Sequence, residues 1–232
     1  MNAYKQFAYY YDEVVSELDY SLWFDFVLPY LKPNSSILDL ACGSGTLATM
    51  FKLKGYNVEG LDLSKEIIEI AKEKTKINHL DIPFYVQDMT NFELDKKYDV
   101  ITCFFDSINF LDSLEKINET FECVKRHLKP NGYFIFDIFS KTMFKEYTHN
   151  RFKRNFHTFK VDWKTVRHNK TTLRHDITIY EGDVEFKETY FEYFYEEKSL
   201  NLNGFKLLKK CGDFGDDLHR NDERILVVLQ AL

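Results

Sequence analysis

Three aspartates of this chain lie at the ends of short apolar segments. Asp39 opens the glycine-rich segment 39–46 (DLACGSGT), Asp62 ends a second apolar segment, and Asp88 follows a third. An apolar segment that ends in glycines before a helical pattern is typical of a strand-to-helix junction in an α/β sheet. Such sheets bind ligands at the carboxyl ends of their strands, so these carboxylates are candidate ligand-binding groups.

The glycine spacing alone is compatible with two kinds of cofactor. Gly43, Gly45 and Ala48 have the spacing of a dinucleotide-binding turn, and Asp62 lies near the distance expected for a ribose partner. Asp39 favours a different cofactor, because a carboxylate beside the turn repels a pyrophosphate. It suits a cofactor with a positive charge at this point, such as S-adenosylmethionine with its α-ammonium group. Asp62 could then accept hydrogen bonds from the ribose hydroxyls of that cofactor.

The third and fourth predicted strands add further candidates. Asp88, in the segment 87–89 (QDM), can accept a hydrogen bond from the exocyclic amine of adenine, and Phe104 ends the fourth strand, where the face for group transfer would open. The predicted cofactor-binding residues are Asp39, Gly43, Gly45, Asp62, Leu63, Asp88, Met89 and Phe104.

The elements that must position these residues follow from the hydrophobic pattern. Strand-like and helix-like segments alternate from about residue 36 to residue 139. This alternation predicts a doubly wound α/β fold, with a parallel sheet covered by helices on both faces. After residue 139 the pattern changes to a period of two, which predicts an antiparallel β insertion of about three strands.

Four short motifs follow one another between residues 39 and 133. They are the segments 39–46, 59–64 (EGLDLS), 87–89 and 128–133 (LKPNGY). In this order they resemble the glycine-rich motif, the ribose motif, the adenine motif and the fifth-strand turn of the class I S-adenosylmethionine-dependent methyltransferases. The resemblance is to the small bacterial branch of that family, which carries a β insertion before the last strands.

The resemblance implies a mostly parallel, seven-stranded, Rossmann-like sheet with a small antiparallel β insertion. The Rossmann-like S-adenosylmethionine-binding domain would comprise residues 1–140 and 197–232, with an N-terminal helical lid at 1–32. The insertion would comprise residues 141–196 and cover the substrate site. One departure concerns the helix that usually precedes the sixth strand. Only the segment 196–203 lies there, so that helix is shortened or residues are missing from the sequence.

The implied reaction is an in-line transfer of a methyl group from S-adenosyl-L-methionine to an acceptor. The sulfonium already activates the methyl group, so positioning and desolvation supply much of the catalysis. A general base is needed only when the nucleophile arrives protonated, and no catalytic residue is assigned. Three alternatives stay open: an RNA methyltransferase, an S-adenosylmethionine-binding protein without catalysis, and an NAD-dependent oxidoreductase.

The composition narrows the class of protein, its expected partners and its expected location. Hydrophobic residues make up 44% and charged residues 29%, as in a globular chain, and the net charge of −6 argues against indiscriminate binding of nucleic acid. The four cysteines show no C-x-x-C spacing, so neither a metal site nor a disulfide framework is predicted. The sequence shows neither a membrane span nor a signal peptide, which favours a cytoplasmic location without a membrane partner. Monomer and homodimer remain open.

The predicted insertion carries an uneven charge. Between Lys145 and His175 there are nine basic and two acidic residues, a net charge of +7. This pattern is typical of solvated strand faces, and alternatively it could draw an anionic substrate into the transfer pocket. Interleaved aromatic residues suit aromatic or nucleotide-like acceptors. A small anionic or aromatic acceptor is therefore expected, and RNA is the lesser option because the rest of the chain is acidic. His157, Arg174 and His175 are candidate catalytic residues, although histidines in strands are more often structural.

Overall fold

The computed structural model describes residues 4–232. The helices are α1 (Ala8–Val14), α2 (Ser21–Val27), α3 (Thr46–Leu53), α4 (Lys65–Ile77), α5 (Leu114–His127) and α6 (Lys141–Glu146). The strands are β1 (Ser36–Leu40), β2 (Asn57–Asp62), β3 (Phe84–Val86), β4 (Tyr98–Cys103), β5 (Leu128–Phe139), β6 (Arg151–Asn155), β7 (Lys160–Arg167), β8 (Thr172–Glu181), β9 (Val184–Tyr193), β10 (Phe205–Gly212) and β11 (Arg224–Ala231).

Seven strands form the main sheet, in the order β10-β11-β5-β4-β1-β2-β3. The strands β1 to β5 pair in parallel, whereas β11 runs antiparallel to β5, and β10 runs antiparallel to β11. The chain moves outward from β1 to β3 and then returns to place β4 on the other side of β1. This confirms the predicted doubly wound, mostly parallel sheet, and it puts the topological switch point between β1 and β4.

Two hydrophobic cores cover the two faces of this sheet. Phe121 of α5 belongs to one core, and Trp23 of α2 and Phe51 of α3 belong to the other. The helix α4 begins directly after Ser64, whose hydroxyl accepts a hydrogen bond from the backbone N–H of Ile67 at 3.2 Å. The helices are therefore fixed on both sides of the strand ends that carry the aspartates.

The second sheet has the order β6-β7-β8-β9, and all of its pairs are antiparallel. It contains one strand more than the sequence predicts. The extra strand, β6, is short, and its side chains alternate between exposed and half-buried, so its sequence lacks an apolar face. Side-chain pairing stabilises this edge instead, since Arg151 donates two hydrogen bonds to the carboxylate of Asp162 on β7, at 2.8 and 2.6 Å.

The inner face of the second sheet packs against the N-terminal part of the chain. Val161, Ile177 and Tyr190 of the sheet form a hydrophobic core with Phe7 and Val14. The helix α1 also packs against α4 of the main domain. The N-terminal segment is therefore enclosed between the two sheets.

A buried asparagine fixes the second sheet to the main one. The side chain of Asn109, in the segment after β4, donates to the carbonyl of Tyr193 on β9 at 2.9 Å. Its side-chain oxygen accepts the backbone N–H of Phe139 on β5 at 3.1 Å. Because all the parallel strands point the same way, the insertion lies above the carboxyl ends of β4 and β5.

Two further sequence expectations concern the ends of these regions. Between β9 and β10 the structure has only a short 3-10 helix, Glu197–Ser199, where a full helix is usual. The first three residues of the predicted lid at 1–32 lie outside the described residues. Within residues 4–232, none of the helices has the length and apolar character needed to cross a membrane.

Candidate functional site

A cavity lies at the carboxyl ends of β1, β2 and β4, beneath the N-terminal segment. Seven of the eight predicted cofactor-binding residues line it: Asp39, Gly43, Asp62, Leu63, Asp88, Met89 and Phe104. The sheet topology explains this convergence, since the ends of adjacent parallel strands meet at one edge of the sheet on either side of the switch point.

Asp39 is a deeply buried charged group of the cavity, with 4% of its surface exposed. Its Oδ1 atom accepts a hydrogen bond from the hydroxyl of Thr102 on β4 at 2.8 Å. Burial raises the pKa of Asp39 to about 7; the charge of Asp62 acts in the same direction and the Thr102 hydrogen bond opposes it. A cation placed beside Asp39 would offset the cost of burying the charge, so this position favours a positively charged ligand group.

Asp62 fixes the glycine-rich turn against the end of β2. Its Oδ2 atom accepts the backbone N–H of Gly43 at 3.0 Å, and its Oδ1 atom accepts that of Ser64 at 2.9 Å. Burial raises the pKa of Asp62, whereas these backbone N–H groups act to lower it. Each carboxylate oxygen retains a lone pair, so Asp62 can also accept hydrogen bonds from neighbouring hydroxyls of a ligand.

The two glycines of the turn have different roles. Both have a positive φ, 54° at Gly43 and 74° at Gly45. A Cβ atom added at Gly43 would meet only the Cδ1 atom of Ile67, at 3.8 Å, and both residues line the cavity. Gly45 does not line it. A Cβ atom there would lie 2.8 Å from the ring of Phe84, so Gly45 allows α3 to start close to the sheet.

Asp88 and Met89 form the part of the cavity wall that follows β3. Asp88 Oδ1 accepts the backbone N–H and the hydroxyl of Thr90, both at 2.9 Å, which fixes the carboxylate and leaves its second oxygen for a ligand. Met89 is 7% exposed and also belongs to the core beneath the sheet. Met89 is therefore both a wall of the cavity and a packing residue.

The turn after β4 forms the opposite wall. Phe105 and Asp106 have positive φ values of 59° and 60°, an uncommon conformation for residues other than glycine. The buried carboxylate of Asp137 stabilises this turn, because it accepts the backbone N–H of Phe105 at 3.3 Å and that of Asp106 at 2.9 Å. It also accepts the indole N–H of Trp23 at 2.7 Å, which links α2 to the turn.

The N-terminal tyrosines are the main cavity residues that were not predicted as site residues. Tyr4, Tyr11 and Tyr20 line the cavity. They belong to the N-terminal helical lid that the family resemblance implies for residues 1–32. Trp23 is buried in the core, whereas Tyr20 packs partly against the same core and also lines the cavity. The run of tyrosines near the N-terminus is the signal that could have identified this wall.

An ion pair fixes the N-terminal helix on the glycine-rich turn. Lys74 of α4 donates to the Asp12 carboxylate on α1 at 2.6 Å and to the hydroxyl of Thr46 at 3.1 Å. The hydroxyl of Ser44 also donates to Asp12. The helix α1 therefore contacts the turn through polar side chains on both sides, as a helix covering a ligand would.

The chemistry of the cavity fits one of the two candidate cofactors. Three carboxylates, Asp39, Asp62 and Asp88, line it, and within residues 4–232 it is lined by no lysine, arginine or histidine. A pyrophosphate would lie against these acids without a cation to compensate it. The ammonium, vicinal hydroxyls and adenine amine of S-adenosylmethionine are the donors that three carboxylates can accept.

Comparison with known proteins agrees with this geometry. A family profile described as a methyltransferase domain matches residues 37–132. The crystal structure of an S-adenosylmethionine-dependent methyltransferase from Clostridium acetobutylicum ATCC 824 is similar to this chain with a TM-score of 0.85 and 28% identity, covering 99% of both chains. Together, the profile and this structure support the assignment of the chain to the class I S-adenosylmethionine-dependent methyltransferases. The family predicted from the four motifs is thus confirmed.

Curated relatives match this methyltransferase over part of their length. A sequence designated a methyltransferase in Geobacillus sp. (strain WCH70) is 36% identical over 142 residues, 59% of this chain and 58% of that protein. A ubiquinone biosynthesis O-methyltransferase of Rickettsia conorii (strain ATCC VR-613 / Malish 7) is 30% identical over 106 residues, 46% of this chain and 35% of that protein. The chain therefore spans little more than half of the first relative and about a third of the second.

The basic residues of the insertion lie away from the cavity of the methyltransferase: none of the nine lines it. Arg151 and Lys153 pair with Asp162 at 2.6 and 3.2 Å, and hydrogen bonding to Arg151 lowers the pKa of Asp162 to about 2. Arg174 pairs with Asp176 at 2.9 Å. This arrangement supports the interpretation of the stretch as a solvated strand face.

Proposed function

We propose that this chain transfers a methyl group from S-adenosyl-L-methionine to a small-molecule acceptor. The observation that carries the proposal is the convergence of three carboxylates in a cavity without a lining cation among the described residues. Asp39 would bind the α-ammonium, Asp62 the ribose hydroxyls and Asp88 the adenine amine, with Leu63 and Met89 packing against the base.

The protein contributes positioning and exclusion of water. When bound, S-adenosylmethionine supplies a methyl group on a positively charged sulfur; the acceptor's lone pair bonds to that carbon, and S-adenosylhomocysteine leaves with the electrons of the carbon–sulfur bond. Phe104 is 2% exposed, and together with Phe105 and Phe110 it gives this side of the cavity an apolar wall. The helix α1 covers the glycine-rich turn, so the ligand is held with little room for solvent.

The walls of the cavity favour a small, partly aromatic acceptor. Tyr4, Tyr11, Phe105 and Phe110 contribute four aromatic rings, which suit flat or apolar molecules. The name of the Rickettsia relative, a ubiquinone biosynthesis O-methyltransferase, supports a small molecule as the acceptor. Of the two acceptor types expected from the sequence, the anionic one loses its support because the basic stretch does not reach the cavity.

Calorimetry with purified protein tests the cofactor assignment. S-adenosylmethionine and S-adenosylhomocysteine are expected to bind with one site per chain, and NAD to show no heat of binding. Binding of NAD in preference to S-adenosylmethionine would overturn the assignment and favour an oxidoreductase.

An assay of S-adenosylhomocysteine release tests the transfer reaction. A panel of small aromatic amines, phenols and alcohols is compared with bulk RNA, and turnover is expected with members of the small-molecule panel. Turnover with RNA alone would show that the acceptor is RNA and not a small molecule. Tight binding of S-adenosylmethionine without turnover of any acceptor would favour a non-catalytic binding protein.

A further inference from the structure

A group of buried polar side chains lies on the inner face of the second sheet, beside the cavity. The register pairs His175 on β8 with Tyr190 on β9, and Glu192 lies two residues further along β9 on the same face. Their exposed fractions are 4%, 5% and 8%. None of the three takes part in the cofactor site described above.

The hydrogen bonds of His175 determine where its proton lies. The indole N–H of Trp163, which can only donate, points to Nδ1 of His175 at 3.1 Å. Nδ1 is therefore an acceptor, and the ring proton resides on Nε2. That atom lies 3.1 Å from Oε2 of Glu192. Nε2 of His175 therefore lies close to one oxygen of the Glu192 carboxylate, although the two atoms are not aligned for a hydrogen bond.

This group has unused hydrogen-bonding capacity. Within the described part of the chain, the hydroxyl of Tyr190 has no hydrogen-bond partner, and Nε2 of His175 faces Glu192 without the alignment of a hydrogen bond. Glu192 receives no hydrogen bond from the other described residues. Buried polar groups are rarely left without partners in native proteins, so the arrangement calls for a partner beyond those that residues 4–232 supply.

The group lies next to the acceptor side of the cavity. The ring of Tyr4, which lines the cavity, packs edge-on against the ring of Tyr190 with centroids 4.6 Å apart. Tyr190 is therefore in contact with a residue of the cavity wall, and Glu192 lies two residues further along β9 on the same face.

The neighbouring acids have a cationic partner, whereas Glu192 has no lysine or arginine within ion-pair distance among residues 4–232. The guanidinium of Arg224 pairs with Asp106 and lies 3.0 Å from Asp137. Among the described residues, Glu192 has His175 as its one ionisable partner, at 3.1 Å, so this buried carboxylate lacks a permanently charged partner. An uncompensated buried charge is costly, and a cationic ligand group would compensate it.

We propose that Glu192, positioned by His175 and assisted by the Tyr190 hydroxyl, binds an amino group of the acceptor, so that the acceptor is a small amine. This inference rests on the proposed methyltransferase function. An ammonium group supplies both the positive charge and the several N–H donors that Glu192 and Tyr190 lack, whereas a hydroxyl supplies one donor and no charge. An amine must lose a proton before its lone pair can react, and the Glu192 carboxylate is placed to take that proton.

Paired probes test the proposal by calorimetry in the presence of saturating S-adenosylhomocysteine. The probes are benzylamine, phenethylamine and tyramine, each compared with the alcohol and the carboxylic acid of the same skeleton. At least one amine is expected to bind tenfold or more tightly than both of its analogues. Glu192→Gln is expected to lower the affinity for that amine at least tenfold and to abolish the preference for the amine over its analogues.

The matched control is Glu185→Gln, which changes an exposed carboxylate on the same strand that pairs with Lys187 at 2.8 Å. It is expected to leave the amine preference unchanged. If Glu192→Gln fails to fold by circular dichroism, Tyr190→Phe gives the second test, with an expected loss of several-fold in amine affinity alone. Equal binding of amines and their analogues to the wild-type chain would overturn the inference.

The role of His175 is tested by rescue. His175→Gln retains a side-chain N–H donor toward Glu192 and is expected to keep the amine preference, whereas His175→Leu is expected to lose it. Equal preferences in the two variants would show that His175 does not position Glu192. S-adenosylmethionine affinity is measured throughout. If the wild-type chain does not bind S-adenosylmethionine, the proposed function is overturned. If it binds the cofactor normally but shows no preference for amines, only this inference is overturned.

Discussion

The two sides of the cavity are built by different kinds of contact. On the cofactor side, Asp62 and Asp88 accept backbone N–H groups two residues further along the chain, at Ser64 and Thr90. On the side of the insertion, the partners of His175 come from neighbouring strands, where Trp163 is 12 residues away in the sequence. The cofactor side combines these local turns with contacts between strand ends, such as that of Asp39 with Thr102, whereas pairing between adjacent strands fixes the other side.

This difference has a consequence for function. Where a carboxylate also holds its own loop, a substitution changes both the loop and the affinity for the ligand. Glu192 holds no loop, since its only polar neighbour at hydrogen-bonding distance in the described chain is His175. We therefore expect substitutions on the cofactor side to change S-adenosylmethionine affinity strongly, and substitutions in the insertion to change only acceptor selectivity.

The largest effect is expected for Gly43→Val. The branched side chain would extend beyond a Cβ atom that already faces a cavity residue, and it would occupy space that the ligand needs. We expect S-adenosylmethionine affinity to fall by more than about 100-fold, which is equivalent to ~2.7 kcal/mol. Calorimetry on the folded variant measures this loss.

Gly182→Val is the matched control for the backbone strain. Gly182 has a φ of 56° in the turn between β8 and β9, close to the 54° of Gly43, but a Cβ atom there would meet nothing within 4 Å. Both variants should lose a similar amount of stability, and only Gly43→Val should lose cofactor affinity. An equal loss of affinity in the two variants would contradict the assignment of the cavity.

Asp62→Ala is expected to have the next largest effect. It removes the acceptor for ligand hydroxyls and also the carboxylate that holds the backbone of Gly43 and Ser64. Loss of hydrogen bonds to a charged group costs about 1.5–3 kcal/mol, so affinity for S-adenosylmethionine should fall roughly 10- to 150-fold. Asp81→Ala, at an exposed position outside the cavity, should bind normally. Unchanged affinity in folded Asp62→Ala would remove this residue from the site.

The two sides of the cavity also differ in how well the sequence predicts them. The parallel sheet was predicted correctly, and seven of the eight predicted site residues line the cavity, because strand ends and glycine turns leave a local signal in the sequence. Gly45 does not line the cavity and lies against Phe84, since the same residue type serves ligand approach and helix packing. The pairing of His175 with Glu192 depends on the register of β8 and β9, which the sequence does not specify.

The pH dependence of cofactor binding should be moderate and should follow Asp39. Its pKa in the unliganded protein is about 7, and pairing with a cationic group would lower it. Below that pH, binding must release a proton from the carboxyl group. Affinity for S-adenosylmethionine should therefore rise as the pH increases from 6 to 8, by at most about tenfold per unit below the pKa, and then level off.

Asp39→Asn sharpens this test because it cannot titrate. Its affinity should be lower at pH 8 and nearly independent of pH. Stability should change in the opposite sense: the raised pKa means that the folded state binds more protons than the unfolded state between about pH 4 and pH 7, so wild-type stability falls as the pH rises through this window. The melting temperature of Asp39→Asn should therefore depend less on pH than that of the wild-type chain. A wild-type affinity that does not change between pH 6 and 8 would contradict the role of Asp39.

The smallest effect is expected for charge reversal on the exposed face of the insertion. Lys160 and Lys164 are exposed on β7, and their register partners Tyr180 and Asp176 lie on the sheet face opposite to that of Val161 and Ile177. Lys160→Glu with Lys164→Glu removes most of the local positive field without touching the cavity, so KM for the acceptor should stay within about twofold at low and at physiological salt. Glu192→Gln, measured beside it, should raise KM for an amine at least tenfold. A salt-sensitive rise of KM in the double lysine variant would show that the basic face draws in the substrate. The insertion would then select its acceptor by long-range attraction rather than by the buried carboxylate on its inner face.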